Sequence, residues 1–443
     1  MQRTRQGRVG EVRPGNAAES GRPKQRALCI AALERGEDLA ELHELLRTAG
    51  VAVVGQIVQH LEQPHPNTYL GPGKLVEVKQ AAEVADANVV VCDDELSPRQ
   101  ERNLEEQLGM PVVDRTTVIL DIFAGHAHSA EGKLQVELAQ LEYNMARMRG
   151  LWTHLERLGA SAAQPGIGAR GPGESQIETD RRLARNRITA LRRRLKGVSS
   201  SRAVMRAERE RAHLPQIALA GYTNAGKSTL LNRLTGAEVG VRDRLFHTLD
   251  PTTRELRVNG RPYLLTDTVG FIRKLPHQVV DAFAATLHET READLILHVV
   301  DASAPEQELA EMLRAVDEVL ESVGAGERPR LLVLNKADAL DDERRAELAF
   351  THPDGVLISA VTGEGLEALG ERIEEEFRRT LRPVDLLLPY AAGASLAELH
   401  DCAGDLERTD TAAGVRIRAR LPATLAERYA RFAVDGVDGD SAA

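Results

Sequence analysis

Short apolar runs alternate with amphipathic segments between residues 26 and 128. Four apolar runs predict strands, at 27–33, 51–58, 88–94 and 110–114. Three segments between them predict helices, at 37–50, 73–86 and 97–109. Because such alternation favours parallel strands joined by helical crossovers, we expect a small, mainly parallel α/β domain at 26–128. Residues 1–25 lack this pattern and are expected to form a disordered, mildly basic tail.

A different periodicity follows at 129–212, where apolar residues stand alternately four and three positions apart. The first run is Leu134, Leu138, Leu141, Met145, Met148, Trp152 and Leu155, and the second is Ala184, Ile188, Leu191, Leu195 and Val198. Two heptad-patterned helices joined by one connector predict an antiparallel coiled-coil hairpin. The connector 159–176 is rich in glycine and carries Arg170, and it is open to two interpretations, a functional tip and a passive linker.

The predicted strand 216–221 leads directly into the sequence GYTNAGKST and then into a predicted helix. This matches the phosphate-binding pattern GxxxxGK[ST], whose glycines let backbone N–H groups point at a β-phosphate. The N-terminus of the following helix adds a favourable dipole. Lys227 is expected to bridge the β- and γ-phosphates, and Ser228 to ligate Mg²⁺.

Three further motifs follow in chain order, each at the end of a predicted strand. In DTVG, Asp267 can hold Mg²⁺ through water and the Gly270 N–H can contact the γ-phosphate. In NKAD, Asp338 can accept hydrogen bonds from guanine N1–H and the exocyclic amine, which adenine cannot supply. In SAV, a backbone N–H of residues 359–361 can contact guanine O6. The set predicts a GTPase domain of the translation-factor-related type at 213–382, with a mixed, mainly parallel sheet.

Two residues bear on the rate of hydrolysis. Phe271 stands directly after DTVG, where Ras-like proteins carry a glutamine that orients water, so we expect slow hydrolysis that a partner or a cation completes. Asn224 is typical of GTPases that use K⁺, although a purely loop-stabilising role is equally open. The candidate catalytic residues are Lys227, Asn224 and Gly270. In the segment 244–256, composition alone leaves Thr248, Thr252 and Thr253 as candidates for a further magnesium ligand.

Composition and charge add one contrast. The chain is 42% hydrophobic and 28% charged, which provides ample material for buried cores. Its formal charge is −10, yet residues 181–211 carry twelve Lys or Arg against two Glu, so the rest of the chain sums to −20. A basic segment in an acidic protein indicates contact with a polyanion, or simply a solvated helix face. Three scattered cysteines, and the lack of a secretory signal or a long apolar run, favour a cytoplasmic protein.

Taken together, these motifs resemble the HflX family of ribosome-associated GTPases. The matching stretches lie between about 67 and 360 and include NTYLGPGKLVEV, DDELSPRQERNLE, GPGESQIETDRR, LFHTLDPTTR and DTVGFIRKLPH. The resemblance implies binding to the large ribosomal subunit and the 70S ribosome, and dissociation or recycling of stalled ribosomes under stress. It also implies that Thr248 is the magnesium ligand and that the tip 159–176 reaches towards the peptidyl-transferase centre. Some members use ATP through the N-terminal domain, which stays open here because 26–128 contains no phosphate loop.

The predicted nucleotide-contacting residues are Gly221, Tyr222, Thr223, Asn224, Ala225, Gly226, Lys227, Ser228, Thr229, Phe246, His247, Thr248, Leu249, Asp250, Asp267, Thr268, Val269, Gly270, Asn335, Lys336, Asp338, Ser359, Ala360 and Val361. The predicted magnesium ligands are Ser228, Thr248 and, through water, Asp267, and K⁺ is a further candidate cofactor. The predicted ribosomal RNA contacts are Arg170, Arg181, Arg182, Arg185, Arg192, Arg193 and Arg194.

Several functional alternatives stay open at this level. A large-subunit assembly factor would need the same subunit contact as a recycling factor. A GTP-dependent switch that recruits a protein or an anionic membrane would use the basic helix differently, with part of the protein then at the membrane. Residues 383–443 predict a small α/β appendage, which either makes a further contact or is structural only. We expect a monomer.

Overall fold

A computed structural model gives the fold of the chain. It describes residues 25–34, 38–61, 63–148, 179, 181–198, 214–237, 245–246, 249, 251–274, 289–402, 404–421 and 423–434. The predicted basic tail, apart from Gln25, and the connector 159–176 with Arg170 therefore lie outside the described residues. The chain divides into two compact units at the bond between Ile122 and Phe123, somewhat before the predicted boundary at 128. No helix in the described ranges has the length and apolar character that crossing a bilayer requires.

The first unit contains the predicted parallel sheet. Its four strands are β1 (Arg26–Leu33), β2 (Ala52–His60), β3 (Val89–Cys92) and β4 (Val112–Asp114), in the order β2-β1-β3-β4 and parallel throughout. Its helices are α1 (Ala40–Ala49), α2 (Pro72–Val84) and α3 (Pro98–Leu108), and helix α4 (Arg115–His126) begins in this unit and continues past the division at Ile122. Ser97 caps α3 in a capping box with Gln100, as the Ser-Pro start of that segment indicates.

Buried polar side chains form ion pairs and hydrogen bonds at the carboxyl edge of this sheet. Arg115 is only 2% exposed and forms ion pairs with Asp93 at 2.8 Å and with Glu41 at 2.9 Å. The buried Tyr69 hydroxyl donates to Asp94 Oδ2 at 2.5 Å and accepts the N–H of Ala32 at 2.9 Å. Burial, followed by the negative charge of Asp94, raises the pKa of Tyr69 well above its usual range, so the hydroxyl keeps its proton.

The heptad-patterned segments form paired helices. Helix α5 (Ala130–Met148) and helix α6 (residues 181–198) bury a shared apolar seam of Leu134, Leu138, Leu141, Met145, Ile188, Leu191 and Leu195. Arg187 pairs with Glu137 at 2.6 Å and Arg192 pairs with Glu142 at 2.8 Å. In heptad notation the first pair joins two g positions and the second joins two e positions. Pairing of like positions places the same flanks of both helices side by side, which is the arrangement of antiparallel helices.

The GTPase region is built on a six-stranded sheet. Its strands are β5 (Gln216–Gly221), β6 (Thr252–Val258), β7 (Arg261–Asp267), β8 (Leu295–Asp301), β9 (Arg330–Asn335) and β10 (Val356–Leu357), in the order β10-β9-β8-β5-β7-β6. Only β6 is antiparallel to its neighbour, so the sheet is mixed and mainly parallel as predicted. Along β8, Leu297 and Ile296 face different apolar clusters, because helices cover both faces of the sheet. The described helices are α7 (Lys227–Thr235), α8 (Glu306–Ser322), α9 (Asp342–Thr351) and α10 (Leu366–Thr380).

The C-terminal region is an antiparallel sheet with two helices. Its strands are β11 (Arg382–Leu388), β12 (Gly404–Thr411) and β13 (Gly414–Leu421), in the order β11-β13-β12, and its helices are α11 (Gly393–Cys402) and α12 (Ala423–Tyr429). Sequence reasoning missed β12, because its sequence GDLERTDT is polar and lacks alternation. On the sheet, Asp385 accepts hydrogen bonds from Arg416 and Arg418, and these bonds lower the pKa of its carboxyl group.

Replacing Tyr69 by phenylalanine tests whether the hydrogen bonds of its hydroxyl stabilise the carboxyl edge of the first sheet. Tyr69→Phe leaves the half-buried Ala32 N–H and the Asp94 carboxylate without the hydroxyl, which should cost about 1–3 kcal/mol of local stability. We expect faster hydrogen exchange at the Ala32 amide. Tyr390→Phe is the matched control, because that hydroxyl donates to Thr411 from an exposed side chain. Unchanged protection at Ala32 would contradict the structural role of the hydroxyl.

Candidate nucleotide-binding site

At both ends of the phosphate-binding loop, the backbone lies very close to atoms of other chain segments. A Cβ atom on Gly221 would lie 2.1 Å from the Val299 carbonyl oxygen of β8, and one on Gly226 would lie 2.3 Å from Asn335 Nδ2. Only glycine fits either position. Asn224 adopts a left-handed conformation with φ 61°, which asparagine tolerates better than most residues. The close approaches at Gly221 and Gly226 and the left-handed conformation of Asn224 therefore determine the shape of the loop.

Lys227 stands at the start of α7 and folds back over the loop. Its Nζ donates to the carbonyl oxygens of Gly221 at 2.9 Å and Tyr222 at 2.8 Å. Burial lowers the pKa of Lys227 to about 8, and the nearby Asp267 carboxylate opposes that shift. The ammonium group is thus held beside the loop where a phosphate group is expected.

The phosphate-binding loop and the DTVG motif are hydrogen-bonded to each other. The Thr223 N–H donates to the Phe271 carbonyl at 2.8 Å, and the Phe271 N–H donates to the Gly221 carbonyl at 3.1 Å. The Ser228 hydroxyl donates to Asp267 Oδ2 at 2.5 Å. Hydroxyl and carboxylate oxygens are the ligands that Mg²⁺ prefers, so this pair fits the magnesium site of a P-loop GTPase.

The NKAD and SAV motifs also meet. Asn335 donates from Nδ2 to the Ala225 carbonyl at 2.8 Å and accepts the Ala360 N–H at 3.0 Å. The Ser359 hydroxyl donates to Asp338 Oδ1 at 2.5 Å, which orients the carboxylate predicted to read guanine. Asn335 thus connects three loops within the protein, a structural role that the motif alone does not reveal.

Two contacts of this region were missed at the sequence level. Lys336 has φ 71°, and its Nζ forms an ion pair with Asp301 at 2.5 Å. Asp301 ends β8, so the strand-end rule that found the other motifs could have found it. The Tyr222 hydroxyl accepts the Arg273 N–H at 2.8 Å and so ties the loop to the chain beyond DTVG. No local sequence pattern signals this second contact.

The segment before β6 is described only in part. Leu245, Phe246 and Leu249 are buried, whereas His247, Thr248 and Asp250 lie outside the described residues. Thr252 and Thr253 belong to β6, and the Thr253 hydroxyl contacts the Thr266 hydroxyl at 2.9 Å.

Three predicted contact residues have distinctive exposure. Phe246 is only 2% exposed, because its ring packs edge-on against Phe123. Thr268 is buried and donates to the Leu219 carbonyl. Unlike these two buried residues, Val361 is 70% exposed.

The basic residues of α6 fall into two groups. Arg192, together with Arg187, is ion-paired to α5. Arg182, Arg185, Arg193 and Arg194 are exposed, and Arg181 is half-buried. Among the described residues of α6, Arg187 and Arg192 thus link this helix to α5.

The strand-end motifs, assembled around one parallel sheet edge, define a P-loop GTPase, an enzyme that hydrolyses GTP. Profiles of three families match the chain: "GTP-binding GTPase N-terminal" at 36–124, "GTP-binding GTPase Middle Region" at 126–209 and "50S ribosome-binding GTPase" at 216–336. The GTPase HflX of Caldanaerobacter subterraneus is 43% identical, over 94% of this chain and 95% of that protein. The GTPase HflX of Escherichia coli is 45% identical, over 87% and 90%. The chain belongs to the HflX family of GTPases.

One solved structure with a similar chain is a GTP-binding protein from Sulfolobus solfataricus in complex with GDP. It is 27% identical, with a TM-score of 0.41, and the match covers 80% of this chain and 98% of that chain.

The lowered pKa of Lys227 predicts a pH dependence of nucleotide binding. A bound phosphate favours the charged ammonium, so binding takes up a proton wherever free Lys227 is partly neutral. We expect GDP affinity to be highest below pH 8 and to fall above it, by up to about tenfold per pH unit. Lys227→Arg is the control, because its guanidinium stays protonated and should give a flatter profile between pH 7 and 9. Calorimetric titration measures both, and equal slopes would contradict the assignment.

Proposed function

We propose that this HflX-family GTPase acts in the cytoplasm on the large ribosomal subunit and the 70S ribosome. GTP binding and hydrolysis are coupled there to the dissociation or recycling of ribosomes under stress. The observation that carries the proposal is the combination of GTP-binding motifs that contact one another with an ion-paired helix pair that presents exposed arginines. The family profile described as a 50S ribosome-binding GTPase supports the choice of partner.

The residues of the site have different roles in GTP hydrolysis. Lys227 and the loop N–H groups bind the β- and γ-phosphates, and the Gly270 N–H meets the γ-phosphate. Ser228, Thr248 and, through water, Asp267 would hold Mg²⁺, which would neutralise charge on the phosphates. A Cβ on Gly270 would lie 2.7 Å from Thr223 Cγ2, so this position must stay glycine for the loop and the motif to close. Phe271 is 1% exposed and its ring cannot orient water, so unassisted hydrolysis is slow.

Guanine selection rests on a prepared carboxylate. Asp338 is held by the Ser359 hydroxyl at 2.5 Å, and the N–H of the next residue, Ala360, donates to Asn335 Oδ1 at 3.0 Å. Adenine lacks the N1–H and the exocyclic amine that guanine offers to Asp338. ATP would therefore leave this carboxylate without its hydrogen bonds, which lowers the affinity for ATP.

The sequence 26–128 of the N-terminal domain contains no phosphate-binding loop of the GxxxxGK[ST] type. The end of β3 carries Asp93 and Asp94, and Asp114 ends β4, so carboxylates are concentrated at this sheet edge. Arg115 is already engaged with Asp93 and Glu41. A triphosphate would meet repulsion there, so we place nucleotide hydrolysis in the GTPase domain alone.

Ribosomal RNA contact is assigned to the exposed arginines of α6. Arg182, Arg185 and Arg193 are exposed, and guanidinium groups suit phosphate oxygens. Arg187 and Arg192 keep the helix in place against α5, so their contribution is indirect. Binding through phosphates releases counterions and must weaken as salt rises.

Stimulation of hydrolysis by ribosomal particles tests this proposal. We expect 50S subunits and 70S ribosomes to accelerate GTP turnover, and the triple replacement of Arg182, Arg185 and Arg193 by glutamine to weaken binding and lower its salt slope by about three. The matched control replaces Arg372, Arg378 and Arg379 of α10 by glutamine, with the same change in charge. Stimulation by anionic vesicles instead of ribosomes would favour the membrane switch. Binding to 50S without splitting of 70S would favour an assembly factor.

A glycine substitution tests whether Asn224 holds K⁺. Asn224→Gly keeps the left-handed backbone but removes the side-chain oxygen, so it separates the two roles of the residue. If Asn224 binds K⁺, the wild-type protein hydrolyses GTP faster in K⁺ than in Na⁺, and the variant loses that difference. If the variant keeps both its rate and its cation preference, Asn224 only stabilises the loop.

A further inference from the structure

An arginine of α9 connects the two loops that are expected to read guanine. Arg345 donates from Nη1 to Glu364 Oε1 at 2.5 Å and from Nη2 to Glu364 Oε2 at 3.2 Å. The same Nη2 donates to the carbonyl oxygen of Ala337 at 2.6 Å. Ala337 belongs to the NKAD motif, and Glu364 follows the SAV motif in the loop that leads to α10. One guanidinium group therefore holds a residue of each loop.

The bond to Ala337 fixes the peptide unit that carries Asp338. The carbonyl group of Ala337 and the N–H of Asp338 belong to one planar unit, so an atom that holds the carbonyl also holds the start of the next residue. The N–H of Ala337 is fixed as well, because it donates to the Ile358 carbonyl at 2.9 Å. Asp338 itself is exposed. The direction in which its side chain leaves the backbone therefore depends on the contacts of Ala337.

Glu364 supports the same carboxylate from the other loop. Its backbone carbonyl accepts the Ser359 N–H at 3.0 Å, and the Ser359 hydroxyl donates to Asp338 Oδ1 at 2.5 Å. This hydroxyl also accepts the Thr362 N–H at 3.0 Å, which closes the loop around Ser359. The contacts form a closed ring, which passes in order through Ala337, Arg345, Glu364, Ser359 and Asp338.

The ion pair has the geometry that a surface pair needs to hold its partners in place. The side chains of Arg345 and Glu364 are 30% and 46% exposed, and single contacts between exposed charges contribute little. Two parallel hydrogen bonds between a guanidinium and a carboxylate define the orientation of both groups much more strictly. The hydrogen bond from Arg345 lowers the pKa of Glu364, so its carboxylate stays ionised at neutral pH.

We propose that Arg345 and Glu364 are positioning residues for guanine recognition, which together hold the Asp338 carboxylate in the orientation that the base requires. The inference rests on the proposed reading of guanine by Asp338, but not on any action on ribosomes. The five residues of the ring lie outside the phosphate-binding loop and the DTVG motif. Opening the ring should therefore weaken GTP and GDP binding alike, and raise KM for GTP while kcat is kept.

A comparison of GDP with inosine diphosphate (IDP) tests the proposal. Hypoxanthine keeps the N1–H of guanine but lacks the exocyclic amine, so the ratio of the two affinities reports the hydrogen bond from that amine to Asp338. Complete loss of a charged hydrogen bond costs about 10- to 150-fold in affinity. Arg345→Met and Glu364→Ala should each lower the GDP/IDP ratio by about 3- to 10-fold, because the carboxylate stays but loses its orientation. The double variant should be little worse than either single one, since all three open the same ring.

Arg344→Met is the matched control, one position earlier in α9. Arg344 pairs with Glu347 at 2.6 Å and donates to the Ala304 carbonyl at 3.1 Å, so it makes contacts of the same kind outside both loops. It should leave the GDP/IDP ratio within about twofold of the wild-type value. The proposal is overturned if the Arg345 and Glu364 variants keep the wild-type ratio, if they weaken GDP and IDP equally, or if Arg344→Met lowers the ratio as much as they do.

Asp338→Ala separates the proposal from the one on which it rests. If this variant loses the preference for GDP over IDP while Arg345→Met and Glu364→Ala keep it, only the positioning role is wrong. A wild-type ratio in Asp338→Ala would contradict guanine reading by Asp338, and the positioning role with it. Glu364→Ala breaks the ion pair from the second loop, so the test does not depend on the folding of one variant. Loss of ribosome stimulation with these base preferences intact would overturn the ribosomal function alone.

Discussion

The active site depends on the close pairing of two chain segments that leave neighbouring strands. Beyond β5 and β7 the chain continues its hydrogen bonding, with Thr223 donating to Phe271 and Phe271 donating to Gly221. This pairing fixes the distance between the phosphate-binding loop and the DTVG motif, and so the distance between Ser228 and Asp267. It is possible only because Gly221 lacks a Cβ where the chain passes the Val299 carbonyl. Backbone atoms thus set the distance between the phosphate-binding loop and the DTVG motif, and the positions of the other site residues depend on that distance.

The architecture was largely predictable, because most of it follows from periodicity. The parallel N-terminal sheet and the mixed GTPase sheet are confirmed by the strand orders, and the pairing of the two helices is confirmed by their buried seam. What escaped prediction lacks a strong period. β12 is polar, and β6 begins within the segment 244–256, whose sequence predicts no strand. Tertiary pairing with β13 and β7 makes these segments strands in spite of their local sequence.

The site was predictable in its motifs and not in its supporting contacts. Short motifs carry backbone geometry and hydrogen-bonding chemistry within a few residues, so Lys227, Ser228 and Asp267 could be found from spacing alone. The Asn335 contacts with Ala225 and Ala360 join different motifs, and the Phe123 contact joins residues far apart in sequence. Such pairs depend on how separate elements pack, and a single sequence contains no local signal for them.

The charges that flank the coiled-coil seam have a consequence for association between copies. Both described seam-flanking residues of α5 that form ion pairs are glutamates, and both of their partners on α6 are arginines. Two α6 helices from separate molecules would place arginine against arginine, and two α5 helices would oppose glutamate with glutamate. Like charges in these positions disfavour homotypic coiled coils. Thus the same residues that close the hairpin on itself also discourage its use as a dimerisation arm.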